Sequence, residues 1–213
     1  MSKHDPRKQS TGGKEVLQLE TLVPETHDQH KIAELIFKSD EELNALVYGK
    51  DGINVIKKLL RMKESYFVPE HTKCAFIDDQ LVGVVVCYPS DESKRKEVDK
   101  IAGRGFMKAL GVVSFGKKMP LYMKMDKMLG GEIEGGGYFI HTICVDDQFR
   151  GKGIGSKMIK ALEKENRKMY LYVNANNQSA ISFYEKNGFI KKFHGRMNYK
   201  GKEYAEYLME KLD

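Results

Sequence analysis

The 213-residue sequence has no apolar run of the roughly 18 to 20 residues that a membrane-spanning helix needs. Its longest, Leu81–Cys87 and Tyr138–Val145, fall far short, so a soluble protein with no membrane partner is expected. The opening stretch, MSKHDPRKQSTGGKE, lacks both the apolar centre and the small-residue cleavage site of a secretory signal, which argues for a cytoplasmic location. Cysteine is scarce. Cys74, Cys87 and Cys144 are odd in number, widely spaced and set in apolar runs. That pattern fits reduced core thiols rather than a disulfide framework or a zinc site, and no metal is expected. Massed charge of one sign is also missing. The 36 Lys and Arg residues are interleaved with 30 Asp and Glu, for a net charge of +6. This disfavours a nucleic-acid partner, which would call for a clustered basic face, whereas an anionic small molecule suits a mild excess. The mixed runs KSDEE and DESKRKEVDK read as solvated helix faces.

What is present is enough for one core. Apolar residues make up 41% and aromatics 10%, and a chain of this length folds without extra staples. A disordered tail over residues 1–14 is expected, followed by a single domain over 15–213. Val16–Val23 alternates as a strand and stops at Pro24. A helical pattern runs from His27 to Tyr48, with Ile32, Leu35, Ile36, Leu43, Leu46 and Val47 at the spacings of one buried face. A shorter helix through Ile56, Leu59 and Leu60 follows. Cys74–Ile77 and Leu81–Tyr88 read as a hairpin turning at Asp78-Asp79-Gln80.

Residues 91–137 interrupt the strands with helical sequence carrying Met107, Met119, Met123, Met125 and Met128, and have the character of an insertion. Their thioether side chains either pack helices or line an adaptable pocket. Tyr138–Val145 is a strong strand that runs through DDQFRGKGIGS into a helix using Ile154, Met158, Ile159 and Leu162. Then come a strand at Met169–Val173, a helix at Ser179–Lys186 and a hairpin of Phe189–Phe193 with Tyr204–Met209. The order implies an α/β fold, its sheet antiparallel early with a parallel pair in the middle.

The segment Arg150-Gly151-Lys152-Gly153-Ile154-Gly155-Ser156 lies between a strand and a helix, so its unpaired N–H groups face one spot beside the positive end of a helix dipole. That is a site for an anion. The spacing fits neither a P-loop nor a dinucleotide loop, which would need glycine where Ser156 stands. Arg150-x-x-Gly153-x-Gly155 instead resembles the cofactor motif of the GNAT acetyltransferases. Asn177-x-x-Ala180-x-x-x-Tyr184-x-x-Asn187-Gly188-Phe189 is similar to that family's second motif. The likeness is specific over Tyr138–Ile190.

The resemblance implies a GNAT-like, mostly antiparallel sheet with a splayed central parallel pair and helices on both faces. It implies acetyl-CoA as co-substrate and an amine as acceptor, and leaves room for a homodimer. The pantetheine arm would pair with the backbone of Ile143, Cys144 and Val145, and the pyrophosphate would lie on Arg150–Ser156. Asn177 would hold the same side, and Ala180 and Phe183 would form its wall. Acetyl transfer also needs a proton for the departing sulfur and a group to take one from the amine. Tyr184 is the candidate acid. His141, at the place where arylalkylamine-acetylating relatives carry a histidine, is the candidate base, with Glu132, Glu134 and solvent as alternatives. A catalytically silent acyl-CoA-binding module is the competing reading.

Overall fold

The computed structural model describes residues 16–165 and 168–212, so the expected disordered tail lies outside the described residues. Its strands are β1 Gln18–Thr21, β2 Thr72–Ile77, β3 Gln80–Pro89, β4 Tyr138–Val145, β5 Met169–Asn174, β6 Ile190–Tyr199 and β7 Lys202–Lys211. Its helices are α1 Gln29–Ser39, α2 Glu41–Tyr48, α3 Gly52–Leu59, α4 Glu92–Leu110, α5 Val112–Met128, α6 Ile154–Glu163 and α7 Gln178–Lys186. The strands form one sheet in the order β1-β2-β3-β4-β5-β7-β6, in which only β4 and β5 run parallel. The mixed sheet with a central parallel pair is therefore as expected.

The hairpin between β2 and β3 turns on Asp78 and Asp79, both left-handed at φ 48° and 62°, the backbone that a two-residue turn demands. The single helix expected over His27–Tyr48 is instead two. Asp40 leaves helical geometry at φ −149°, and its carboxylate accepts from the Leu43 N–H at 3.1 Å, starting α2 afresh. Side-chain capping competes with helix propagation there, and the apolar spacing on either side does not register it.

The sheet carries a core on each face. On one, Ile32, Leu35 and Ile36 of α1 meet Ile56 and Leu59 of α3 over Cys74, Val84 and Val86. On the other, Ile154, Met158, Ile159 and Leu162 of α6 pack with Ile181 of α7 over Val85, Ile140 and Leu171. All three cysteines are buried free thiols. The segment read as an insertion, residues 91–137, folds mainly as the helical pair α4 and α5, with α4 against α3 and α5 against β6. Met128 is buried with Leu121 and Met197, whereas Met119 and Met123 are exposed.

The close approach of α4 to the segment before it has a measurable consequence. A Cβ at Gly105 would lie 1.6 Å from the Glu64 carbonyl oxygen, whereas one at the exposed α5 position Gly116 meets nothing within 4 Å. Gly105→Ala is expected to destabilise the fold by about 1–3 kcal/mol through overpacking, and Gly116→Ala to stabilise it by about 0.5–1 kcal/mol. Chemical denaturation of the two variants checks this. Equal effects would mean that α4 does not seat against residue 64.

Candidate functional site

The site is built at a fork. β4 and β5 pair only at Tyr138↔Met169, Phe139↔Tyr170 and Ile140↔Leu171. Beyond that point β4 keeps its antiparallel partner β3 as far as Val145↔Gly83, and β5 keeps β7 as far as Asn174↔Glu206. Each strand therefore turns an unpaired edge toward the gap, with Ile143, Cys144 and Val145 on one side of it. The register of β4 also slips at the fork. Val86 faces Thr142 and Cys87 faces Ile140, which leaves His141 as the extra residue of a bulge. A bulge bends its strand and increases local twist.

The glycine-rich loop sits at the open end of the fork. After a 3-10 turn at Asp147–Phe149, Gly151 and Gly153 take left-handed φ of 77° and 73°, and Gly153 caps α6. No side chain caps this helix, and the first helical bond is Lys157 N–H to the Gly153 carbonyl. The N–H groups of Gly153, Ile154, Gly155 and Ser156 consequently have no hydrogen-bond acceptor among the described residues. Cβ positions at Gly151 and Gly153 would project into open space. An unpaired N–H cluster at the positive end of a helix, open on one side, fits a phosphate group.

The loop's side chains contribute in different ways. Arg150 extends from the loop and binds Asp147 at 2.9 Å. Lys152 rests its ammonium 4.8 Å from the Phe149 ring centre. Ile154 is buried in the core, so only its backbone faces the loop. The loop is tied to α1 by the nearly buried Asp146, which pairs with Lys31 and also accepts from Gln148 N–H at 2.9 Å. The Lys31 hydrogen bond holds the Asp146 carboxyl below its ordinary range.

From α7, Phe183 packs onto Gly155 of α6. Tyr184 is 8% exposed and lies edge-on to Phe183 and Phe189, with ring centres 5.2 and 5.6 Å away. Its hydroxyl has no hydrogen-bond partner among the described residues, and burial raises its pKa above the ordinary phenol value. It is a proton donor without a recipient. Asn177, expected to hold cofactor, uses its side-chain oxygen to cap α7, accepting from Ala180 N–H at 3.0 Å. Its side-chain amide is what it has left to offer a ligand.

On the other face, a cavity of about 560 Å³ opens against β4 at His141 and Thr142 and against β5 at Tyr172. Its walls come from Asp40–Tyr48, α4 and α5. Of the insertion's methionines, Met119 and Met125 line it. The His141 ring stacks on Tyr66 at 4.7 Å between centres and lies edge-on to Phe67 at 5.8 Å, with Nδ1 3.0 Å from the Thr142 hydroxyl. Burial in this aromatic surround, assisted by His71, lowers its pKa to about 4. The imidazole is therefore neutral near pH 7 and less basic than an ordinary histidine. Glu132 and Glu134 do not line the cavity.

Four carboxylic side chains line it: Asp40 and Asp99, from the runs KSDEE and DESKRKEVDK that were read as solvated faces, and Asp126 and Glu206, which the sequence reading did not single out. For Glu206 a signal existed. It is two residues before the buried Leu208 on the same strand face, a place where alternation calls for an apolar residue. No group of three or more His, Cys, Asp or Glu among the described residues is arranged to hold a metal ion.

Comparison with known proteins adds the following. Residues 33–189 match the model of the acetyltransferase (GNAT) family. Over 58 residues, 25% of this chain and 26% of the relative, the sequence is 47% identical to an uncharacterized N-acetyltransferase of Methanocaldococcus jannaschii. Over 74 residues, 32% of this chain and 47% of the relative, it is 31% identical to spermine/spermidine N(1)-acetyltransferase of Bacillus subtilis. The chain thus spans about a quarter and about half the length of these two relatives. A solved N-acetyltransferase from Staphylococcus aureus Mu50 superposes with a TM-score of 0.65 at 21% identity, covering 90% of this chain and 99% of that one. A GNAT-family acetyltransferase from Streptococcus agalactiae gives 0.58 at 13% identity over 92% and 95%. At these identities the likeness is one of fold.

The enclosure of His141 sets a titration. Its folded pKa of about 4 lies below the unfolded value near 6.5, so the unfolded chain takes up the proton first as pH falls. Stability from burying the neutral ring is complete above about pH 6.5 and is lost as pH falls toward 4. Nuclear magnetic resonance should give His141 a pKa near 4, and His141→Phe should flatten the fall in unfolding free energy between pH 7 and 4. A measured value at or above 6.5 would contradict this account.

Proposed function

The chain belongs to the GNAT acetyltransferase family, and from that premise we propose that it transfers the acetyl group of acetyl-CoA directly to a primary amine on a small molecule or peptide. The observation that carries the reading is the meeting, at one fork in the sheet, of an N–H cluster and a tyrosine hydroxyl that both lack a partner among the described residues. The name of the Bacillus subtilis relative, an acetyltransferase of spermine and spermidine, supports an amine as acceptor.

Acetyl-CoA, when bound, supplies an activated thioester. The chain's own residues do the rest. The N–H groups of Gly153–Ser156 receive the pyrophosphate, with the helix dipole behind them. The free edge of Ile143, Cys144 and Val145 aligns the pantetheine arm in the fork, and Ala180 and Phe183 form its wall. A strand N–H at that edge offers a preorganised donor to the acetyl oxygen, an arrangement that often contributes a few kcal/mol.

Tyr184 delivers a proton to the departing sulfur. Its raised pKa keeps the phenol protonated throughout the neutral range, and a thiolate of pKa near 8.5 can accept from it. His141 meets the amine from the cavity side. Nδ1 lies 3.0 Å from the Thr142 hydroxyl, and in the tautomer that donates Nδ1–H to it Nε2 is an acceptor that orients the attacking neutral amine and relays the proton released on attack to water. Tyr184 in this position disfavours a silent acyl-CoA-binding module.

Thiol release from acetyl-CoA across a panel of primary amines tests the activity, and two variants test the assignments. Tyr184→Phe keeps the ring and its packing but removes the proton. General acid catalysis typically contributes about 10² to 10⁴-fold, so kcat should fall at least tens of times with acetyl-CoA affinity little changed. A kcat within about threefold of the original, with chemistry rate-limiting, would remove Tyr184 from the mechanism. Gly153→Asp places a side chain and a negative charge in the anion site, and calorimetry should show acetyl-CoA binding abolished while the fold persists.

A further inference from the structure

The lining of the acceptor-side cavity runs against the charge of the chain. A protein of net charge +6 presents Asp40, Asp99, Asp126 and Glu206 there, opposed by one guanidinium, Arg95. One of these acids already has complements: Asp99 accepts a hydrogen bond from the Tyr66 hydroxyl at 2.7 Å and lies near Arg95, with Asp126 a like charge beside it. Asp40 and Glu206 are different.

Glu206 is 3% exposed, on the floor of the cavity, and no Lys, Arg or His forms an ion pair with it or with Asp40 among the described residues. The groups facing it are the Asp40 carboxyl, within hydrogen-bonding reach, and Glu42, itself paired with Lys202. Asp40 in turn accepts from Leu43 N–H and the Asn174 amide. Burial, then Asp40, pushes the Glu206 carboxyl up to about 9, so without a ligand the two share one proton. Burying two carboxyl groups together is costly, and an apolar residue at 206 would serve packing better. A cation in the cavity would complete the pair.

Resting on the acetyl-transfer reading above, we propose that Glu206 and Asp40 anchor a second ammonium group of the acceptor, making the preferred substrate a short linear diamine or polyamine. The reacting amine meets the fork at His141 on β4, and the anchor is on β7. One strand intervenes, and Glu206 lies opposite Asn174, beyond the point where β4 and β5 separate, so the two positions are farther apart than two strand spacings, roughly 10 Å. The wall between them is aromatic, with Tyr48, Tyr66, Tyr88, Phe106, Phe139 and Tyr172. Such a surface suits an alkyl chain and attracts cations to its ring faces. As the ammonium enters, the proton shared by the two acids passes to solvent and the pair meets it as two carboxylates.

Steady-state kinetics with diamines of increasing length, each matched to a monoamine of equal chain, decides the matter. The unsubstituted protein should prefer its best diamine by at least tenfold in kcat/KM. Glu206→Gln preserves the size and hydrogen bonding of a protonated acid but cannot carry charge. It should reduce that preference at least tenfold, chiefly through KM, and weaken calorimetric binding of 1,4-diaminobutane to the same extent. Asp40→Asn, which can still cap α2, should move both readouts the same way and decides the matter if the Gln variant does not fold. A structural Glu206 predicts no change, because glutamine replaces a neutral acid. Equal use of monoamines and diamines by the unsubstituted protein, or an undiminished preference in the variants, would overturn the inference and leave acetyl transfer standing. Absence of thiol release with every amine would instead overturn acetyl transfer, and the diamine affinities would still judge the anchor.

Discussion

Everything at this site depends on two parallel strands that pair for three residues and then separate. The vertex is pinned from outside the sheet. The fully buried Ser90, just past β3, donates from its hydroxyl to the Glu134 carbonyl and accepts from Gly137 N–H, and its own N–H donates to the Gly137 carbonyl. Tyr138 N–H donates to the Lys168 carbonyl, which lies so close to Gly137 that a Cβ there would be 2.5 Å from it. These bonds fix where β4 and β5 meet. The bulge at His141 then turns β4 away just as pairing ends. Polar backbone in a buried gap is unfavourable unless something pairs with it; at the mouth the Arg150 Nε–H donates to the Val145 carbonyl at 3.3 Å, and the rest of the edge is left for a ligand or water.

The fork also separates two kinds of electrostatics. At its mouth, unpaired N–H groups at the start of α6 make a positive end without buried side-chain charge, while Arg150 and Lys152 remain at the surface. On the acceptor face, carboxyl groups from the α1–α2 junction, α4, α5 and β7 converge on aromatic walls. The Lys31–Asp146 pair connects α1 to the start of the loop, so the helix whose end lies beside the cavity also braces the anion site. Opposite charge preferences are thus kept apart by the thickness of the sheet and joined through the gap.

The parts of the site built from contiguous residues were the legible ones. Strand, glycine loop and helix lie within Tyr138–Glu163 and follow from pattern and spacing, whereas Tyr184 was singled out by the resemblance of its local motif to the family's second motif. The hairpin at Asp78-Asp79 was likewise visible from local pattern. What depended on side chains meeting across the fold was not. Asp40 broke the expected long helix because its carboxylate met Leu43 N–H, although apolar residues on both sides kept helical spacing. The basicity of His141 followed from Tyr66, Phe67 and His71, all distant in sequence. Glu206 breaks the apolar alternation of its strand, but its neighbour Asp40 is brought to it only by the α1–α2 turn over β7 beside β5.

The helices α4 and α5 shape the cavity without contributing to the N–H cluster. The residues at the anion site come from β4, the loop and α6, and none comes from α4 or α5. The cavity, by contrast, takes Arg95, Asp99 and Phe106 from α4 and Phe115, Tyr122 and Asp126 from α5. A substitution on these helices would alter the shape and charge of the cavity without touching the N–H cluster. Only the fork belongs to both, through His141 and Thr142 on one side of β4 and the backbone of Ile143–Val145 just beyond. The backbone of β4 at its bulge is thus one link between cavity and anion site, since a shift of one residue's register there would move the imidazole and the strand edge together, and the Lys31–Asp146 pair is another.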